Sequence, residues 1–290
     1  MTAAHILKKI KALEIRTRKL VRNVFSGEYH SVFKGTGISF AEVREYFFSD
    51  DHRLIDWKVT AKMNAPFIKL FEEERELNVI LMVDLSGSGD FGSLSRTKVQ
   101  IAAEIAAVLG FSASRNNDKV GLLLFTDRVE HYIPSKKGKK HVMRLLRDIF
   151  YFSPKSKKTS ISTALDALNK AVKTRSVVFL ISDFMDYNFE KSMQLTSKKH
   201  DLVPIVIEDP HETQLPDAGL VCVEDPESGE LLYLNTSDER VRDSFLNMSL
   251  AKRLEQDRFF KSIAVQPVRI HTNQSYARPL DHFFKTRMRR

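Results

Sequence analysis

Cysteine is nearly absent from this chain. Cys222 is the only one among 290 residues, so intrachain disulfides and cysteine-cluster zinc sites are excluded. No apolar run approaches the roughly 18–20 residues that a bilayer-spanning helix needs. Residues 1–25 carry too many charges to form a signal-peptide core. Both absences lead us to expect a cytoplasmic protein without a transmembrane segment. The nine histidines show no H-x-H or H-x-x-x-H spacing. There is no Walker A lysine motif, so any ATP hydrolysis would belong to a partner. No G-x-S-x-G elbow surrounds Ser86 or Ser88, and no base stands at a recognisable offset from either, as a hydrolase would need. Internal repeats and low-complexity linkers are also missing.

What the chain has in excess is positive charge, a formal +9 that is unevenly spread. Residues 8–22 hold seven basic residues and one acid, residues 135–158 nine and one, and "KTRMRR" ends the chain. Such stretches suit nucleic acid, an anionic membrane surface or an acidic protein, and a solvated face is the plainer reading. No zinc-finger, RNP or Gly-Arg pattern favours nucleic acid.

Hydrophobic residues make up 42% of the chain, enough for a large core in one domain or in one domain with an annex. Four short apolar runs, "NVILMV" (78–83), "KVGLLLF" (119–125), "SVVFLIS" (176–182) and "LVPIVI" (202–207), are nearly continuous, as in strands buried on both faces. Helical spacing over 96–114, 141–150, 162–172 and 189–199 alternates with them. The expected fold class is therefore α/β, a doubly wound, mostly parallel sheet from about 76 to 208. A basic amphipathic helix over 2–25 and an irregular or β-rich annex over 27–75 should pack on this core. Residues 220–236 read as a hairpin, 238–264 as a long helix and 264–272 as a last strand.

The stretch "LMVDLSGSGDFGS" (81–93) fits two ligand signatures. As G-x-G-x-x-G it would be a dinucleotide fingerprint, but three residues separate its first glycine from the strand, and no acid follows at the ribose distance. A bare Asp84 would also repel a pyrophosphate. As D-x-S-x-S it supplies Asp84, Ser86 and Ser88 where the strand ends. Asp183 stands where "SVVFLIS" ends, and Thr159 lies in a loop bound for the same carboxyl edge, where open α/β sheets hold ligands. Two carboxylates and three hydroxyls are hard donors that suit Mg²⁺, Mn²⁺ or Ca²⁺ and do not suit zinc or copper. The glycines would let the loop turn tightly around an ion. Helix capping and turn chemistry are the structural alternative for Asp84, Ser86 and Ser88. Asp90 and Asp186 read as surface or supporting acids.

This pattern resembles the metal-ion-dependent adhesion site (MIDAS) of von Willebrand factor A domains, and "TSISTAL" (159–165) is similar to the start of that family's corresponding helix. The annex from "FKGTGISF" onward, "DPHETQLPDAGLVCVEDPESGELLYLNT" and "PLDHFFKTRMRR" resemble one family, domain of unknown function 58, over nearly the whole chain. The resemblance implies a von Willebrand factor A-like core over 76–290. It also implies a non-enzymatic, chaperone-like or adaptor role beside a MoxR-type AAA+ ATPase, with a divalent ion whose open position takes an acidic residue of that ATPase or of its client. This chain departs from the pattern in three places. Lys157 and Lys158 precede Thr159 where glycines are usual, and their charges oppose a metal if turned inward. Phe184 follows Asp183 where Gly is usual, and Gly89 follows Ser88 where Met is frequent.

"SDDHRLIDW" (49–57) reads either as a docking or second metal surface or as a brace, with Arg53 on a carboxylate and Trp57 and Ile55 sealing the annex onto the sheet. "FEEERE" (71–76) reads as a solvated face or as a partner for the basic stretch 8–22. Two other functions remain open. A metal-assisted phosphoesterase or nuclease would need a second acid cluster, for which Asp50 and Asp51 are the candidates. A nucleic-acid or membrane-surface binder would lose affinity steeply with salt.

Overall fold

The computed structural model describes residues 39–63, 65–72, 76–92, 96–224 and 229–288. The basic helix expected over 2–25 and the Glu73 and Glu74 of "FEEERE" lie outside them. The described chain falls into two compact units, one within Phe33–Leu77 and one within Asn78–Arg290.

The smaller unit pairs strand β1 (Ser39–Glu45) antiparallel with β2 (Phe67–Glu72). A single 3₁₀ turn at His52–Leu54 and a short helix, α1 (Trp57–Met63), lie between them. The "SDDHRLIDW" stretch is tied by Asp50, which takes two hydrogen bonds from Arg44 at 2.9 and 2.7 Å and one from the Phe47 N–H at 2.8 Å. Arg53 stands 3.8 Å from Asp51, both exposed, so it braces little. Within this unit Trp57 is 71% exposed, and Ile68, bridged to Ile55, and Leu77 are buried.

The larger unit is the expected α/β sheet. Its elements run β3 (Asn78–Asp84), α2 (Lys98–Arg115), β4 (Lys119–Phe125), β5 (Val129–Lys136), α3 (Lys139–Tyr151), α4 (Ile161–Ala171), β6 (Val177–Ser182), α5 (Glu190–Lys199) and β7 (Asp201–Glu208). They continue with α6 (Pro210–Thr213), β8 (Leu220–Glu224), β9 (Leu231–Asn235), α7 (Glu239–Ser262), β10 (Val268–His271) and α8 (Ala277–Met288). Six strands order as β10-β7-β6-β3-β4-β5, parallel except for β5 at one edge. The chain winds from β3 out to β4 and β5, then returns to β6 on the other side of β3. The topological switch point therefore lies between β3 and β6.

Continuous apolar runs make the central strands because helices cover both faces. Every residue of β6 is buried, and all of β3 after Asn78. On one face α2 packs, with α3 against it; a Cβ added at Gly110 would stand 3.2 Å from Val142 Cγ1. On the other face Ile161, Leu165, Leu168, Phe184, Phe189, Met193 and Phe260 from α4, α5, α7 and their loops close over Ile80, Met82 and Leu180. Each such side chain contributes roughly 1.5–3 kcal/mol relative to exposure. The hairpin β8–β9 stands out from this core with Leu220, Leu231, Leu232 and Tyr233 exposed. Among the described residues no helix is long and apolar enough to cross a membrane.

Candidate functional site

The ends of β3 and β6 meet at the switch point. Val83 pairs with Ile181, which sets Asp84 beside Ser182. The Ser182 hydroxyl donates to Asp84 Oδ2 at 2.7 Å, and the Ser86 N–H donates to Oδ1 at 2.9 Å. Ser86 and Ser88 hydroxyl oxygens lie 3.1 Å apart. Asp183 Oδ1 accepts from the Met185 N–H at 3.1 Å, and the Ser88 hydroxyl also bonds to the Asp183 carboxylate. Asp84, Ser86, Ser88 and Asp183 are all buried and line one cavity of about 20 Å³, space for a single water-sized particle. Four of the five sequence-predicted donors are thus together.

The fifth, Thr159, is half-buried and is not among the residues lining that cavity. Its loop does reach the site: the Gly87 N–H donates to the Lys157 carbonyl at 2.7 Å, and the Ser160 N–H donates to the Thr126 carbonyl at 3.0 Å. The side chains of Lys157 and Lys158, expected to oppose a metal if turned inward, are exposed.

The cation at the site is a different lysine. Lys98, first residue of α2, is 3% exposed and lines the cavity. Its Nζ is 2.6 Å from Asp183 Oδ2 and in contact with Glu212 Oε1 on α6. Glu212 Oε2 in turn accepts from the Asp209 N–H at 3.1 Å. Sequence reading missed Lys98 and Glu212, because a lysine in the first turn of a helix normally reads as solvated. It also passed over Ser182 in "ISD". Asp186, read as a surface or supporting acid, accepts at 2.7 Å from the Ile161 N–H, the first of α4. It thereby joins the Asp183 loop to the helix that follows Thr159.

Charge at the site is unbalanced. Burial raises the Asp84 pKa to about 7, with the neighbouring Asp183 charge adding to the rise and hydrogen bonds from Ser182 and Ser86 opposing it. Burial also pushes Asp183 up, but the Lys98 ammonium outweighs it and holds the Asp183 pKa low. Glu212 is raised, chiefly by burial. Lys98 stays charged because the two carboxylates overcome its own desolvation. One ammonium therefore faces three acids.

The glycines matter differently from expectation. Gly89 and Gly92 have no left-handed backbone to support; they allow close approach instead. A Cβ on Gly89 would stand 2.5 Å from Val99 Cγ2, and one on Gly92 would stand 2.5 Å from the Arg96 carbonyl oxygen. Left-handed backbone occurs instead at Phe184, at φ 56°, directly after Asp183. Its ring is held edge-on by Phe189 and Phe260 at 5.8 and 5.6 Å.

The donor set fits a hard divalent ion in chemistry and in charge, since Asp84 is the group that extra positive charge would relieve. Among the described residues, no three His, Cys, Asp or Glu side chains gather as an all-protein metal cage. Hydroxyls and water would have to complete a coordination shell here.

A family model described as "Protein of unknown function DUF58" matches residues 42–255. An uncharacterized protein of Mycobacterium tuberculosis is 28% identical over 283 residues, which covers 97% of this chain and 89% of the relative. An uncharacterized protein of Mycobacterium avium is 28% identical over 160 residues, covering 54% of this chain and 94% of that one. Among solved structures, an aerotolerance-related membrane protein from Bacteroides fragilis is similar with a TM-score of 0.50 at 12% identity, over 73% of this chain and 98% of that one. The VWA domain of SpRpn10 gives 0.37 at 14% identity, over 71% and 93%. At such identities likeness bears on fold alone.

Proposed function

This chain belongs to the DUF58 family, and from that premise we propose that it is a non-enzymatic protein-interaction module that docks partners at the Asp84–Asp183 edge of its von Willebrand factor A-like sheet. The observation that carries the proposal is the meeting of two buried acids from separate strand ends, with a serine pair, around one ion-sized cavity. The chain around that cavity leaves Phe91, Met185 and Tyr187 exposed. Exposed aromatic and methionine side chains next to a buried polar centre are a composition suited to a protein partner.

The proposal includes a divalent cation, Mg²⁺ first, with Mn²⁺ or Ca²⁺ as alternatives. Asp84, Ser86, Ser88 and Asp183 would hold it, and Thr159 would join through movement of its loop. Such an ion would offer an acidic residue of the partner a positive corner. The family resemblance makes a MoxR-type AAA+ ATPase, or that ATPase's client, the partner we propose, with this chain acting as adaptor or in a chaperone-like way.

The test is co-purification of the chain with a MoxR-type ATPase from the same organism. Chelator, Asp183→Ala and Tyr187→Ala are each expected to lower recovery at least tenfold. Recovery unchanged by all three would remove this edge from the interaction.

A further inference from the structure

We propose that Lys98 is a built-in competitor for the cation position: its ammonium must leave Asp183 before a divalent ion can take that carboxylate, and Glu212 then keeps it. This rests on the reading that the site accepts a divalent ion, and it adds how the chain itself sets that affinity.

Lys98 stands where a lysine is disfavoured twice. Burying an ammonium is costly unless it is paired. The first turn of a helix is also the positive end of the backbone dipole, which disfavours a cation. Both costs are met in one place, by Asp183 at 2.6 Å and by Glu212. A lysine held there only for structure could point its flexible stem to solvent, as the exposed Lys157 and Lys158 do.

Asp183 has no idle oxygen. Oδ1 takes the Met185 N–H, Oδ2 takes Lys98, and the Ser88 hydroxyl bonds the same carboxylate. Of these three donors the backbone N–H is fixed, Ser88 is itself a proposed ligand of the ion, and the lysine is the cation that must move. The second anchor lies on its way outward: the Glu212 side chain is 21% exposed, against 4% for Asp183. Glu212 also sits on α6, whose Glu212 carbonyl accepts from the Ser249 hydroxyl of α7 at 3.1 Å. Lys98 therefore links the start of α2 to α6, and α6 in turn bonds α7.

The experiment is Mn²⁺ titration calorimetry on the full chain in four forms: wild type, Lys98→Met, Glu212→Gln and the double variant. Far-UV circular dichroism confirms folding, and Lys98→Gln replaces the methionine variant if that fails to fold. Removing the ammonium is expected to tighten Mn²⁺ binding at least tenfold. Glu212→Gln is expected to weaken binding in the wild-type background and to have no effect once Lys98 is gone, a non-additivity that general charge attraction would not produce. Binding seen only after Lys98 is removed would support the competitor and deny the wild type a metal. If wild type binds and Lys98→Met binds no better, the competitor is wrong and the metal site stands. Equal Glu212→Gln effects in both backgrounds would overturn it too. No binding by any form would overturn competitor and metal site together.

Discussion

Phe184 places a bulky side chain on left-handed backbone at φ 56°, a conformation that disfavours all but glycine and a few polar residues. Its ring is fully buried in the aromatic cluster with Phe189 and Phe260. The packing outweighs the strain: deleting a buried Phe side chain costs about 3–5 kcal/mol, against about 1–3 for the backbone. Phe184→Gly is therefore expected to lower stability by about 2 kcal/mol in urea unfolding, and a gain in stability would reverse that ranking. His200 supplies a pH test. It is buried, neither ring nitrogen has a hydrogen-bond partner, and burial lowers its pKa to about 4, with Lys199 and Arg175 adding. The unfolded chain takes up this proton near pH 6.5 and the folded chain only near 4. The stability is fully present above 6.5, falls as pH drops through that window and levels off below about 4. His200→Leu is expected to match or exceed wild type at pH 7 and to lose less stability between pH 6.5 and 4. Parallel pH curves for the two proteins would refute the assignment.

The elements that carry the site are the ones the chain writes most plainly. β3 and β6 are unbroken apolar runs, so the placement of Asp84 and Asp183 at their ends could be read directly. β5 could not, because "VEHYIPSK" is an edge strand with one buried residue, Ile133, and a proline that only an edge tolerates. The single turn of α6 is too short to leave a periodic pattern, which is why Glu212 went unnoticed. Lys98 has no local signature at all: its burial comes from α2 lying across strand ends that are distant in sequence. The start of α2 is itself fixed by a capping box, with the Thr97 hydroxyl accepting from the Gln100 N–H and the Gln100 side chain accepting from the Thr97 N–H, both at 3.3 Å. Thr97→Ala is expected to cost about 1 kcal/mol in thermal or urea unfolding. An unchanged midpoint would mean that the capping box adds nothing measurable to α2.

For the larger unit as a whole, winding order decides where chemistry can gather. The sheet reverses between β3 and β6, so the loops after these neighbouring strands diverge and leave a crevice. Into it the chain sends two acids, three serines and one lysine, and α6 adds a third acid on that lysine. The lysines and arginines of 135–158, by contrast, are exposed along α3 and its flanking loops, with Arg144 and Arg147 turned to Asp148. The account is tested most directly by a crystal of the full chain soaked in Mn²⁺ and measured at the manganese absorption edge. It predicts an anomalous peak among Asp84, Ser86, Ser88 and Asp183, with the Lys98 ammonium withdrawn to Glu212. No peak there at saturating Mn²⁺, with Lys98 still on Asp183, would contradict it.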